Sequence, residues 1–198
     1  MGYEMKKKIW ILLASLVVVI SGIFLWNCLS LEKDVKRDEY VLAKTDNFET
    51  LEELENASEC IVRVKKLAED DSIVERRDGR IAYGYTMSDV KIQEVFYNTL
   101  GNEIQKDQII KIWENEFQDG DIVYHIAGYE KMEIGKEYIL FLRKSTSHDC
   151  FLTRGIRFGK VSVHEESIST FARNNQSYRD SVDSIAAQAR QKYVKRIE

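Results

Sequence analysis

The chain has 198 residues, 44% of them hydrophobic, and a formal net charge of −4, enough for one domain with a real core but hardly for two. The acidic balance leaves no electrostatic reason to bind nucleic acid or an anionic lipid surface. Proline is absent, which excludes Pro-rich linkers, polyproline ligands and every active-site motif that requires proline.

The first eight residues, MGYEMKKK, set Lys6, Lys7 and Lys8 against one acid, Glu4. From Ile9 to Leu31 the chain carries no charge, and its polar members are Ser15, Ser21, Asn27, Cys28 and Ser30. At ~1.5 Å per helical residue this run spans the ~30 Å of a bilayer's hydrocarbon. Residues 9–31 are therefore expected to be a transmembrane signal anchor that meets membrane lipid. The lysines bias residues 1–8 to the cytoplasm and the rest of the chain to the outside of the cell. Trp10 and Trp26 stand near the two ends, at headgroup level. The run exceeds the ~7–15 residues of a cleaved signal core, and no small-x-small site follows it. Leu25-Trp26-Asn27-Cys28 is a poor match to the residues that precede an acylated cysteine, so lipidation of Cys28 is the alternative form of attachment.

Residues 32–47 are polar and charged with little periodicity and read as a stalk, leaving 48–198 as the extracytoplasmic domain. Thr50-x-x-Glu53 has capping-box spacing and predicts a short helix ending near Ala57. Cys60 to Lys65 alternates, with Cys60, Val62 and Val64 on one face and Arg63 and Lys65 on the other. Asp78-Gly79 predicts a hairpin tip, followed by a long strand from Arg80 to Phe96. The inward positions of that strand change parity between Tyr85 and Val90, which a β-bulge would explain. Ile110 and Ile112 alternate with Lys111 and Trp113. Asp119-Gly120 is another turn signal, with Ile122 to Tyr124 as an edge strand after it. Glu137 to Leu142 is apolar on both faces and is expected to be the central, most buried strand. Cys150–Thr153 and Lys160–His164 supply two further short strands. Tyr178, Val182, Ile185, Ala186, Ala189 and Tyr193 then follow three-and-four spacing, predicting an amphipathic helix whose stripe packs on the β domain. The fold class is mainly β with a C-terminal α-helix, preceded by one N-terminal transmembrane helix.

Few residues suggest chemistry. Cys60 and Cys150 in an oxidising compartment form either one disulfide or two separate buried thiols. His125, His148 and His164 lack zinc-motif spacing, and His148-Asp149-Cys150 offers at most two ligands on one face. No catalytic residue, metal site or cofactor is expected. Glu75 to Arg80 gathers three arginines at the hairpin tip, where solvated charge at an edge turn is the ordinary explanation.

The order of the elements resembles netrin-like domains, the group that includes tissue inhibitors of metalloproteinases and related bacterial surface domains. Leu51-Glu52-Glu53-Leu54 leading into Ala57 to Val64 is similar to their short helix and first strand, and Val90 to Phe96 to a later strand. Ile134-Gly135-Lys136-Glu137-Tyr138 to Leu142 is similar to their Gly-x-x-Tyr and buried strand. The likeness covers roughly residues 47 to 193 and implies an OB-like five-stranded barrel. Zinc capture through an N-terminal cysteine is not carried over, because a membrane helix precedes this domain and it has two cysteines. Bacterial signal peptidases share the anchor-plus-β layout, and Gly120 to Val123 looks like one of their strands, but their nucleophile motif needs a proline. In an OB-like barrel Tyr83, Tyr85 and Trp113, with Phe96 and Tyr97, fall on the face often used for ligands; core packing is the ordinary role of such aromatics, and a protein or glycan contact is the functional alternative. The expected function is a membrane-anchored extracytoplasmic binding module without enzymatic activity, with an unknown protein or surface ligand as partner and no nucleic acid. A membrane-tethered hydrolase assembled in space and an accessory subunit of a membrane complex are the alternatives.

Overall fold

A computed structural model describes residues 37–164 and 176–194. The expected cytoplasmic segment 1–8, the anchor 9–31 and residues 32–36 of the expected stalk lie outside them. Among the described residues no helix is long and apolar enough to cross a membrane.

In chain order the elements are β1 (Arg37–Val41), α1 (Leu51–Asn56), β2 (Cys60–Glu69), β3 (Ile73–Arg77), β4 (Arg80–Asn98), β5 (Ile109–Glu114), β6 (Glu116–Asp119), β7 (Ile122–Ile126), β8 (Glu137–Lys144), β9 (Phe151–Thr153), β10 (Lys160–Ser162) and α2 (Gln176–Tyr193). Strands β8, β2, β4, β5 and β9 pair in that order, and β9 pairs back to β8. The result is a closed five-stranded barrel. All its pairings are antiparallel except β5 with β9, an order consistent with an OB-like fold.

Side-chain alternation fills both sides of the wall. Cys60, Val62, Val64, Val90, Ile92, Ile110, Ile112, Tyr138, Leu140 and Leu142 form the interior. Ile61, Ile139 and Phe141 point the other way, into a second cluster with Leu51 and Leu54 of α1 and Ile185, Ala189 and Tyr193 of α2. β8 is therefore covered on both faces, as its unbroken apolar run requires. The C-terminal stripe packs on the barrel, and α1 starts where its cap directs, with Thr50 Oγ1 accepting from the Glu53 amide at 3.2 Å.

Three local expectations are corrected. Residues 37–41, read as stalk, form β1, which pairs in parallel with β7 from Arg37↔Ile122 to Val41↔Ile126. The folded unit begins at Arg37 rather than at Phe48. Its alternation was hidden because a strand hydrogen-bonds through its backbone, which polar side chains do not forbid. For the same reason β7 is not an edge: it is the middle of a three-stranded sheet ordered β1-β7-β6. β4 itself carries no extra residue between Tyr85 and Val90: it pairs β5 without a break from Thr86 to Lys91, and the register shift on its other side, between Lys66 and Ala68, falls on β2. Val90 faces the interior and Tyr85 the outside, where neighbouring rings bury it.

The hairpin tip forms as expected, with Asp78 and Gly79 both at positive φ, 51° and 73°, the geometry of a two-residue hairpin turn. β4 runs on through 19 residues, so its first part, paired with β3, is continuous with the barrel wall.

Candidate functional site

The outer face of β3, β4 and β5 carries a ladder of rings. Tyr83 and Tyr85 are two apart on β4, so they share a face, and their rings lie 6.3 Å apart with only 8° between planes. Trp113 of β5 stacks on Tyr85 at 3.5 Å and 22°. His148, from the loop between β8 and β9, meets Trp113 edge-on at 5.2 Å and Tyr85 at 6.2 Å. The structure thus joins all three sequence-predicted ligand-face residues and adds His148. Tyr85, in the middle, is buried, whereas Tyr83 at the open end is 43% exposed. Phe96 belongs elsewhere, packed against Tyr193 of α2 at 4.7 Å, and Tyr97 is separately exposed.

β3 extends this face. Its register sets Ile73 opposite Tyr85, Glu75 opposite Tyr83 and Arg77 opposite Arg80, and directly opposed residues share a side of the sheet. Glu75, Arg77 and Arg80 are exposed, and among the described residues neither arginine forms an ion pair. Arg76 points to the other side, where it pairs with Asp119. Burial pushes the Tyr85 hydroxyl above the usual tyrosine range, and the nearby Tyr83, Cys150 and Glu75 add to this.

A second constellation, which alternation alone did not single out, lies inside one end of the barrel. Lys66 and Glu114 are both fully buried and 2.9 Å apart. Lys66 Nζ also donates to Glu69 at 2.5 Å and to the Met132 carbonyl at 2.7 Å, using all three protons. Glu114 accepts from Ser88 Oγ, from Tyr129 OH at 3.0 Å and from the Met132 amide at 2.7 Å. Burial, with Glu114 beside it, lifts the Tyr129 hydroxyl well above its ordinary range. A signal existed: Lys66 continues the inward series Cys60, Val62, Val64, and Glu114 continues Ile110, Ile112.

His125 sits close to this network in the β1-β7-β6 sheet. Its Nδ1 lies 3.0 Å from the Tyr129 carbonyl and 3.1 Å from Glu116, and its Nε2 lies 3.2 Å from Asp38 of β1. Tyr40 stacks on the ring at 4.9 Å. Burial by itself opposes the imidazolium, but hydrogen bonds to Glu116, Asp38 and Tyr129 outweigh it and lift the pKa to about 9.

Cys60 and Cys150 are free, buried thiols, the second of the two alternatives open from the sequence. Cys60 faces the barrel interior, whereas Cys150 lies near Tyr85 on the outside, so a strand's thickness separates them. Burial raises both thiols, Cys60 to about 12. His148 Nδ1 lies 2.8 Å from Ser147 Oγ, and no group of three His, Cys, Asp or Glu among the described residues could hold a metal ion. A shallow cleft of about 760 Å³, lined by Arg63, Gln93, Glu94, Val95, Gln105 and Lys106, lies apart from the ladder. The chain matches no protein-family model, and no curated protein matches it.

Proposed function

We propose that this chain is a membrane-anchored, extracytoplasmic binding module of netrin-like, OB type, that it has no enzymatic activity, and that it meets its ligand on Tyr83, Tyr85 and Trp113. The observation that carries the reading is the aromatic ladder itself. Three separate segments bring four rings to one outer face, and the terminal ring is left 43% exposed. Stacking of Tyr83 and Trp113 on the buried Tyr85 rigidifies the platform, and a rigid aromatic surface loses little entropy when a ligand lands on it. Residues 9–31 hold that platform at the outer surface through lipid contact, as their apolar length and the flanking lysines require.

One experiment in intact cells tests both parts. A photo-crosslinking amino acid is placed at Tyr83 and, as a control, at Lys106 in the cleft apart from the ladder. Membranes are then washed with alkali, and whole cells are treated with protease. The expected outcome is a crosslinked product from position 83 alone, retention in the washed membrane, and cleavage of the domain from outside. Equal products at both positions, or extraction by alkali, would count against the proposal.

A further inference from the structure

Independently of ligand binding, we propose that Lys66 and Glu114 condense into an isopeptide bond, with Glu69 as the proton carrier, so that the barrel ties itself covalently across one end. The ion pair seen in the structure is the reactant.

Burial singles out this pair. The ion pairs of Lys111, Lys144 and Lys192 lie at the surface, where both charges are solvated and water competes with any amine for a carboxyl carbon. Among the described residues, Lys66 and Glu114 form the one ion pair in which both side chains are 0% exposed. Condensation replaces two groups that are costly to bury as ions with one neutral amide. A site closed to water also withholds the reactant that would hydrolyse it.

The two oxygens of Glu114 have unlike surroundings, as acyl transfer requires. Oε2 accepts from the Met132 amide at 2.7 Å and from Tyr129 OH at 3.0 Å, two fixed donors that stabilise the charge of a tetrahedral intermediate. Oε1 lies 2.9 Å from Lys66 Nζ and accepts from Ser88 Oγ, which suits the oxygen that leaves. Its hydrogen bond to Oε1 holds Nζ beside the carboxyl carbon. Glu69 Oε2, 2.5 Å from the same Nζ, is within reach to take a proton from it.

The step balances without a co-reactant. The Nζ–Cδ bond forms and the Cδ–Oε1 bond breaks. One Nζ proton passes along the hydrogen bond to Oε1, a second is taken up by Glu69 and delivered there, and Oε1 departs as water. Glu69 ends as it began, and nothing is oxidised or reduced. The third Nζ proton already points to the Met132 carbonyl at 2.7 Å and remains as the amide N–H. The carbonyl oxygen keeps the Met132 amide and Tyr129 as donors, so the product's hydrogen bonds are in place before it forms. Water leaves past Glu69, Lys131 and Met132, which line an open cleft of about 450 Å³.

The bond joins β2 to β5, which β4 separates in the barrel and which lie 48 positions apart in the chain at these residues. Closing such a loop restricts the unfolded chain, as a disulfide does; Cys60 and Cys150 supply no such tie.

The test takes the full chain from membranes in detergent, denatures it and digests it with trypsin. Acylation blocks cleavage at Lys66, so the expected product is a branched peptide of residues 66–76 joined to residues 112–131, lighter than the two together by one water molecule. Fragmentation locates the link, and pulse-chase labelling follows its growth. Glu69→Gln, at a side chain 31% exposed, should slow the growth about a hundredfold. Tyr129→Phe, which keeps the ring and removes one donor to Oε2, should also slow it about a hundredfold. Circular dichroism establishes that both variants fold, and the bonded wild type should unfold at a higher temperature than unbonded Glu69→Gln. Separate linear peptides cut at Lys66 from the folded wild type after prolonged incubation overturn the proposal. So does a link between other residues, or growth at the wild-type rate in Glu69→Gln.

Discussion

Lys66 and Glu114 have no access to water, and desolvating such a pair costs several kcal/mol per ion before any attraction is counted. They persist because the surroundings complete them: three acceptors for the ammonium and four donors for the carboxylate. Removing one partner is therefore worse than removing both. Lys66→Met is expected to lower stability by about 3–5 kcal/mol, because it leaves Glu114 buried without its partner. Adding Glu114→Gln, which still accepts from Tyr129 and the Met132 amide and can donate to Ser88, should recover part of that loss. Urea unfolding of the two single variants and the double variant measures the coupling. Strictly additive losses would show that the pair contributes no mutual stabilisation. Both residues were legible as inward-facing by parity. Their mutual contact was not, because β2 and β5 are not neighbours in the barrel and their approach depends on its closure.

At the scale of elements, β1 is the least self-sufficient strand. Among the described residues it pairs on one side only, with β7, and its burial is slight. Two of its side chains, Asp38 and Tyr40, converge on His125, so this strand is fastened by a charge as well as by backbone hydrogen bonds. The folded-state pKa of His125, about 9, lies above the ordinary value of about 6.5. The folded protein therefore holds this proton more tightly than the unfolded chain does. The associated stability, up to ~3 kcal/mol and less because Asp38 is half exposed, is fully present below pH ~6.5 and is lost as pH rises through about 9. Thermal unfolding of the wild type should fall over that window, and His125→Gln should flatten the fall. A midpoint in the wild type that is constant from pH 6 to 10 would remove His125 from this role. The other elements follow their sequence signals more directly. The cap at Thr50, the turn at Asp78-Gly79 and the double-sided apolar run of β8 each state a local backbone need that residue type can meet.

For the molecule as a whole, the boundary of the folded unit carries the next prediction. A chain beginning at Arg37 contains every described strand of both sheets, whereas one beginning at Phe48 lacks β1. The shorter chain should leave the β7 edge unpaired and His125 without Asp38, giving a lower unfolding temperature and concentration-dependent association through the open edge. Light scattering and thermal denaturation of the two chains make the comparison. Equal stability and a monomeric state for both would show β1 to be dispensable.

The sequence by itself determined the apolar run 9–31 with its lysine flank, the mainly β character, the C-terminal amphipathic helix and the strand that would be buried on both faces. These follow from local periodicity, which needs no knowledge of neighbours. Only the tertiary structure decided that polar residues 37–41 form a strand, that β7 is central, that Tyr85 and Val90 face opposite sides of one unbroken strand, and that Cys60 and Cys150 stay apart. It also decided that His148 joins the ladder. Each depends on which strand lies beside which, and that is settled by closure of the barrel: long-range pairing brings together residues whose own neighbourhoods carry no record of one another.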